Sequence, residues 1–75
     1  MYIITNENCQ NCKTLEKMLG EYATQIEYVI ASSNMDLCRK LNVRQVPALV
    51  KDDNTVVFDL QEIVEEVKNA SSLHI

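Results

Sequence analysis

The strongest constraint on the fold is a short apolar segment that is followed almost at once by a helical pattern. Tyr2–Thr5 is β-branched and aromatic, and it is too short for a helix, so it predicts a buried central strand. From Cys12 the apolar residues recur in steps of three and four, as on one face of a helix. They are Cys12, Leu15, Met18, Leu19 and Tyr22. A strand that leads directly into an amphipathic helix indicates an α/β domain.

A second strand and a second helix follow. Ile26–Ile30 is rich in β-branched residues and predicts a strand. Ala31–Asn34 is a polar turn that ends in helix-capping residues. Leu37, Cys38 and Leu41 then mark a short helix. One acidic residue near its start and two basic residues near its end complement the helix dipole.

The last third of the chain predicts a hairpin and a closing helix. Val46–Val50 and Thr55–Phe58 are strand candidates, and the turn between them is so short that they must be antiparallel neighbours. Asp59 and Glu62 match the ends of a capping box that has Asp in place of Ser or Thr. The apolar face of the final helix follows, and residues 71–75 are expected to form a frayed tail.

The predicted order of elements is therefore β-α-β-α-β-β-α. Because a helix joins the first two strands, we expect them to be parallel, with a right-handed crossover. The predicted α/β fold is a four-stranded mixed sheet with helices on both faces. A chain of 75 residues has room for one such domain, which is expected to span residues 1–75.

Composition excludes several classes of protein. Seven basic and eleven acidic residues give a net charge of −4, so the basic stripe typical of nucleic-acid-binding proteins is absent. No apolar run approaches the length that spans a membrane, and the first residues lack the features of a secretory signal. We therefore expect a cytoplasmic protein, in a compartment where disulfides are usually transient and catalytic.

Two cysteines lie where the first strand leads into the first helix. Cys9 ends the predicted loop, and Cys12 begins the apolar face of the helix. At a helix N-terminus the unpaired N–H groups and the dipole favour an anion, which lowers the pKa of a thiol there. Cys9 is thus the predicted nucleophile. Cys12, one turn further in, is placed to attack a mixed disulfide on Cys9.

Together with Val46-Pro47 at the start of the third strand, this pair resembles the thioredoxin superfamily. The short chain without tryptophan is similar to its glutaredoxin and glutaredoxin-like branches, which have the minimal thioredoxin fold. The resemblance implies a cis peptide bond before Pro47, opposite the cysteines, and a Val46 backbone that pairs with bound peptide or glutathione. The other residues predicted to contact substrate are Asn8, Gln10, Asn11, Gln45 and Asp59.

The residues around these motifs differ from those of glutaredoxins that use glutathione. Asn6-Glu7-Asn8 precede the pair where a lysine is usual, Gln10-Asn11 replace Pro-Tyr, and Val57-Phe58 replace two glycines. The segment Arg44–Pro47 is similar instead to redoxins that donate electrons to ribonucleotide reductase and are recharged by thioredoxin reductase. The aromatic-glycine segment of those proteins is absent. The sequence does not decide between glutathione and a flavoprotein (thioredoxin) reductase as the reductant.

The cysteines also have other interpretations. Zinc needs about four ligands, and the chain offers only Cys38 and His74 beside the pair, at no recognisable spacing. An iron–sulfur cluster shared by two subunits is a rarer alternative. Cys38 is expected to be a small core residue rather than a regulatory thiol, and His74 to lie in a solvated tail. Arg44 either steers an acidic partner or is a solvated loop charge.

The sequence predicts a dithiol thiol–disulfide oxidoreductase that reduces protein disulfides through Cys9 and Cys12. No metal and no tightly bound cofactor are expected. The resemblance implies a disulfide-containing protein as substrate, with ribonucleotide reductase as one candidate. We expect a monomer that binds neither nucleic acid nor membranes. The alternative function is a non-catalytic thioredoxin-fold adaptor, in which the cysteine pair is vestigial or structural.

Overall fold

The structure, a computed structural model, describes residues 1–72 of the chain and the side chains of residues 1–70. The strands are β1 (Tyr2–Thr5), β2 (Glu27–Ile30), β3 (Ala48–Val50) and β4 (Val56–Val57). The α-helices are α1 (Gln10–Leu19), α2 (Met35–Lys40) and α3 (Leu60–Ser72). Short 3₁₀ turns follow α1 and β2, at Gly20–Gln25 and Ala31–Ser33. The order of strands and α-helices is the predicted one.

The strands form one mixed sheet in the order β2-β1-β3-β4. β1 pairs in parallel with β2 and antiparallel with β3, so it lies inside the sheet as its apolar sequence predicted. β3 and β4 form the predicted hairpin, in which the N–H of Asn54 donates to the carbonyl of Lys51 at 2.9 Å. This is the predicted four-stranded arrangement of the minimal thioredoxin fold.

One face of the sheet, here called the α1–α3 face, carries the main core. Alternate residues of β1 and β3 meet the apolar stripes of α1 and α3 on this face. The buried members of this cluster are Ile3, Leu15, Leu19, Leu49, Ile63, Val64 and Val67. All of them are at most 9% exposed, so this face has a packed interior.

The opposite face, here called the α2 face, is covered more thinly. Its buried residues are Ile4, Ala48 and Val50, all from the sheet. α2 contributes no buried residue of its own, because its six residues form less than two turns. Cys38 and Leu41 only partly cover the sheet, and Cys38 is half-buried.

Several boundaries differ from the predicted ones. β3 begins at Ala48 rather than Val46, since Pro47 has no N–H to donate to the ladder. β4 contains only Val56–Val57. The first helix ends at Leu19, and a 3₁₀ turn begins at Gly20, whose φ of 57° glycine adopts readily. α3 extends through Ser72, two residues into the segment expected to fray. Residues 73–75, with His74, lie outside the described residues.

Candidate redox site

Cys9 occupies the N-cap position of α1. Its backbone is extended, with φ −106° and ψ 110°, and its Sγ atom accepts a hydrogen bond from the N–H of Cys12 at 3.1 Å. The Cys9 carbonyl accepts a second bond, from the N–H of Lys13 at 3.2 Å. A sulfur atom therefore stands where Ser, Thr, Asp or Asn usually satisfies the first N–H groups of a helix.

Cys9 and Cys12 are joined by a disulfide, so the structure contains the oxidised form of the pair. Their Cα atoms lie 5.2 Å apart, within the usual range for a disulfide. The two cysteines differ in exposure: Cys12 is only 7% exposed, whereas Cys9 is half-buried. A reagent that approaches from solvent therefore has easier access to the sulfur of Cys9.

Two surface depressions border Cys9. The first is also lined by Cys12, Lys13 and Glu16. The second, of about 490 Å³, lies between the loop before α1 and the segment before β3, and Asn8 and Val46 both line it. A ligand that carries a disulfide has room beside the Cys9 sulfur on either side.

Val46 and Pro47 lie directly beside Cys9. The Val46–Pro47 peptide bond is cis, and the carbonyl oxygen of Val46 lies 3.9 Å from the Cys9 Sγ atom. Pro47 is buried and Val46 is half-buried. Within residues 1–72 the N–H of Val46 has no hydrogen-bond partner, so it is free to bind the backbone of an extended ligand.

The electrostatic environment of Cys9 includes the N-terminus of α1 and charged side chains of both signs. Glu7, Lys13 and Glu16 are the charged residues that line the two depressions, so side chains of both signs are present. The first turn of α1 contains no acidic residue that would offset the helix dipole. The N–H groups at this end of α1 thus add positive potential at the sulfur.

The other predicted substrate contacts are not all near the sulfur atoms. Asn8 lines both depressions and has a left-handed backbone, with φ 44°. Gln10 and Asn11 are exposed on the first turn of α1 and line neither depression. Asp59 caps α3, where its Oδ2 atom accepts the N–H of Glu62 at 3.3 Å. The roles of these residues in substrate binding stay predictions.

A further cavity, here called the α2 cavity, was not predicted from the sequence. It has a volume of about 430 Å³ and adjoins Val46 and Gln45 on the α2 face. Side chains from α2 and from the segment after it form much of its lining: Met35, Cys38, Arg39, Val43 and Arg44. An exposed Met35 at the start of a short helix, and Arg44 so close to Val46, are the signals in the sequence that point to it.

No protein-family model matches the chain, and neither a curated protein nor a solved structure matches it. Any assignment of function therefore depends on the residues of this chain. Within residues 1–72, no cluster of three or more His, Cys, Asp or Glu side chains is arranged to hold a metal ion. None of the helices in the same range has the length and apolar character needed to cross a membrane.

Proposed function

We propose that this protein is a glutaredoxin-like dithiol thiol–disulfide oxidoreductase. The observation that carries the proposal is the position of Cys9, a half-buried residue whose Sγ atom caps α1 and accepts the N–H of Cys12. In the reduced protein this N–H would bind a Cys9 thiolate, and the helix dipole would favour the same negative charge. A thiolate is the form of cysteine that attacks disulfides.

The reaction consists of two thiol–disulfide exchanges. The Cys9 thiolate attacks one sulfur of the substrate disulfide, forms a mixed disulfide with it, and releases the other sulfur as a thiolate. Cys12 loses its proton and attacks the Cys9 sulfur, which breaks the mixed disulfide and releases the second substrate thiolate. Two electrons pass to the substrate, and the protein is left with the Cys9–Cys12 disulfide.

The difference in exposure between the two cysteines fits these two steps. Cys9 is reachable from solvent, as a nucleophile for a large substrate must be, whereas Cys12 is 7% exposed and shielded from external disulfides. Cys12 attacks a sulfur atom of the same molecule, so it must lie close to Cys9 but does not need to be exposed to solvent. The free N–H of Val46 would hold the substrate backbone beside Cys9 during the first step.

The substrate proposed for this reaction is a disulfide-containing protein. Ribonucleotide reductase is a candidate because Arg44–Pro47 resembles the redoxins that serve it. The cycle closes when a thiol donor reduces the Cys9–Cys12 disulfide, and we propose either two molecules of glutathione or the dithiol of a flavoprotein thioredoxin reductase. The protein would act as a cytoplasmic monomer, without a tightly bound cofactor.

Reduction of a protein disulfide with dithiothreitol as the electron source tests this function. The wild-type protein should accelerate the reaction, and Cys9→Ser should lower the rate to that of dithiothreitol alone. Cys12→Ser should form mixed disulfides that do not resolve, whereas Cys38→Ser, which removes a thiol but leaves the pair intact, should still resolve its mixed disulfides. A wild-type protein with no activity, or a Cys12→Ser variant that traps no partner, would favour the adaptor instead.

The electron donor is tested by a second pair of assays. The oxidised protein and an excess of a protein disulfide substrate are mixed with NADPH and either glutathione plus glutathione reductase or thioredoxin reductase, and the consumption of NADPH is recorded. The donor that reduces the Cys9–Cys12 disulfide should sustain turnover. A protein that neither system reduces would require another donor.

A further inference from the structure

We propose that the α2 cavity binds an acidic segment of the disulfide substrate. This inference rests on the proposed function, since it assigns a specificity site to the same reaction. An apolar side chain of the substrate would enter the cavity, and a nearby carboxylate would pair with the arginines at its rim. The substrate class is thus a protein whose reducible cysteine is flanked by an acidic, partly apolar sequence.

The cavity is continuous with the surface at Cys9. The depression between Cys9 and Val46 and the α2 cavity share three lining residues, Asn6, Ser32 and Val46. A peptide joined to the Cys9 sulfur can therefore pass along Val46 and reach the cavity. The N–H of Val46 is unpaired within residues 1–72, so it can donate a hydrogen bond to the backbone of a peptide that runs from Cys9 to the cavity.

The walls of the cavity offer apolar surface that the fold leaves uncovered. Met35 is 57% exposed, the highest value among the large apolar side chains of residues 1–70. Val43 and Cys38 are only half-buried. A side chain that filled the cavity would remove this apolar surface from water, and a flexible methionine adapts to different shapes.

The charge of the lining is opposite to that of the whole chain. The chain has a net charge of −4, yet Arg39 and Arg44 line the cavity and no Asp or Glu does so among the described residues. Arg39 has one ion pair, with Asp36 at 3.7 Å, and both side chains are largely exposed. Arg44 forms no ion pair with a carboxylate within residues 1–72. Guanidinium groups pair with carboxylates in a planar, two-bond geometry, so an acidic ligand fits this lining best.

Two disulfide-linked peptides test the proposal. They are identical except that Glu residues beside the cysteine in one are Gln in the other, and kcat/KM for their reduction is measured with dithiothreitol as electron source. The wild-type protein should prefer the acidic peptide by about three- to fivefold at low salt, the range expected of exposed ion pairs, and less at high salt.

Arginine variants locate this preference in the cavity. Arg44→Gln should lower the ratio of the two kcat/KM values, and Arg39→Gln/Arg44→Gln should bring it to about one. Lys40→Gln removes the same charge from a residue of α2 that does not line the cavity, so it should keep the wild-type ratio. If Lys40→Gln lowers the ratio of the two kcat/KM values as much as Arg44→Gln does, the proposal is overturned, because the preference would then be a general effect of charge.

The outcomes separate this inference from the proposed function. Reduction of both peptides at equal rates would overturn the acidic specificity and leave the oxidoreductase intact. If neither peptide is reduced, the proposed function fails, but binding of the same peptides with Ser in place of Cys still measures the Glu-to-Gln preference. If the arginine variants slow the reduction of glutathione disulfide but not of the acidic peptide, the ligand is glutathione, and the proposal of a protein segment is overturned.

Discussion

The two faces of the sheet differ in how completely they are covered. On the α1–α3 face, two helices bury a cluster whose members are at most 9% exposed. On the α2 face, a helix of six residues has no buried side chain and leaves a cavity of about 430 Å³. The buried strand residues are covered on both sides, by two helices with buried apolar residues on one side and by half-buried segments beside an open cavity on the other.

We expect the α1–α3 face to contribute most of the stability and the α2 face to contribute the proposed binding surface. Cys12 is buried at the start of α1, the helix that the packed face holds in place, so the N–H that it donates to Cys9 has a fixed position. Val46 and the α2 cavity belong to the other face, where the proposed ligand would bind. Most of the free energy of folding should therefore come from the α1–α3 face.

The largest expected effect on stability is in the packed face. Leu15 is 1% exposed, and its truncation in Leu15→Ala removes apolar contacts and leaves a cavity. We expect a loss of about 3 kcal/mol in the free energy of unfolding, measured by urea titration. A loss below about 1 kcal/mol would show that the cluster is less rigid than its burial indicates.

The matched substitution in the other face should cost much less. Leu41 follows α2 and is only half-buried, so Leu41→Ala should lower the free energy of unfolding by about 1 kcal/mol. The same urea titration measures this change. Equal losses in Leu41→Ala and Leu15→Ala would contradict the proposed division between the two faces.

Substitutions in the loop before Cys9 should have a smaller effect on stability, which acts through the backbone conformation. Asn8 has a φ of 44°, a left-handed conformation that asparagine tolerates and alanine disfavours. Asn8→Ala should therefore destabilise the protein by about 1 kcal/mol, whereas Asn8→Gly, which accepts this φ, should be close to neutral. If thermal unfolding shows the two variants to be equally stable, the backbone at Asn8 does not need its left-handed conformation.

The smallest effect is expected in the turn between β3 and β4, away from both faces. The N–H of Thr55 donates to Asp53 at 3.0 Å, and the hydrogen bonds from Thr55 lower the pKa of this carboxyl below its ordinary value. Because the folded pKa lies below the unfolded one, the stabilisation is present above about pH 4 and is lost as the pH falls through the folded pKa.

A variant that cannot titrate isolates this contribution. Asp53→Asn keeps a side-chain oxygen but does not titrate, so its stability should fall slightly less than that of the wild type between pH 6 and pH 3. Urea titrations at both pH values measure the difference. The same decline in both proteins would mean that Asp53 has no part in the pH dependence.

Much of the fold could be predicted because its signals are local. Tyr2–Thr5 is the strand that its β-branched residues predicted, and the apolar steps from Cys12 mark the buried side of α1. Asp59 was predicted to cap the last helix, and it does so. These features depend on neighbouring residues, whose spacing can be read from the sequence.

What could not be predicted depends on contacts between distant segments. The positive φ of Asn8 follows from the path between β1 and α1, and a single asparagine in a polar loop does not specify it. The α2 cavity is lined by residues from α2, from the segment after it and from the turn after β2, which lie apart in the sequence and come together only in the fold. The closeness of Val46 to Cys9 was expected only from the resemblance, since the two residues lie 37 positions apart in the sequence.

The central claim is that Cys9 is a thiolate poised for disulfide exchange, and its reactivity as a function of pH tests this most directly. The reduced protein is alkylated with iodoacetamide between about pH 5 and pH 9, and the rates at Cys9 and Cys38 are followed by mass spectrometry. The account predicts an apparent pKa for Cys9 below that of a free thiol, because its thiolate is stabilised at the N-terminus of α1, and slower alkylation of the half-buried Cys38. A Cys9 pKa at or above about 8.5, the value of a free thiol, would contradict it.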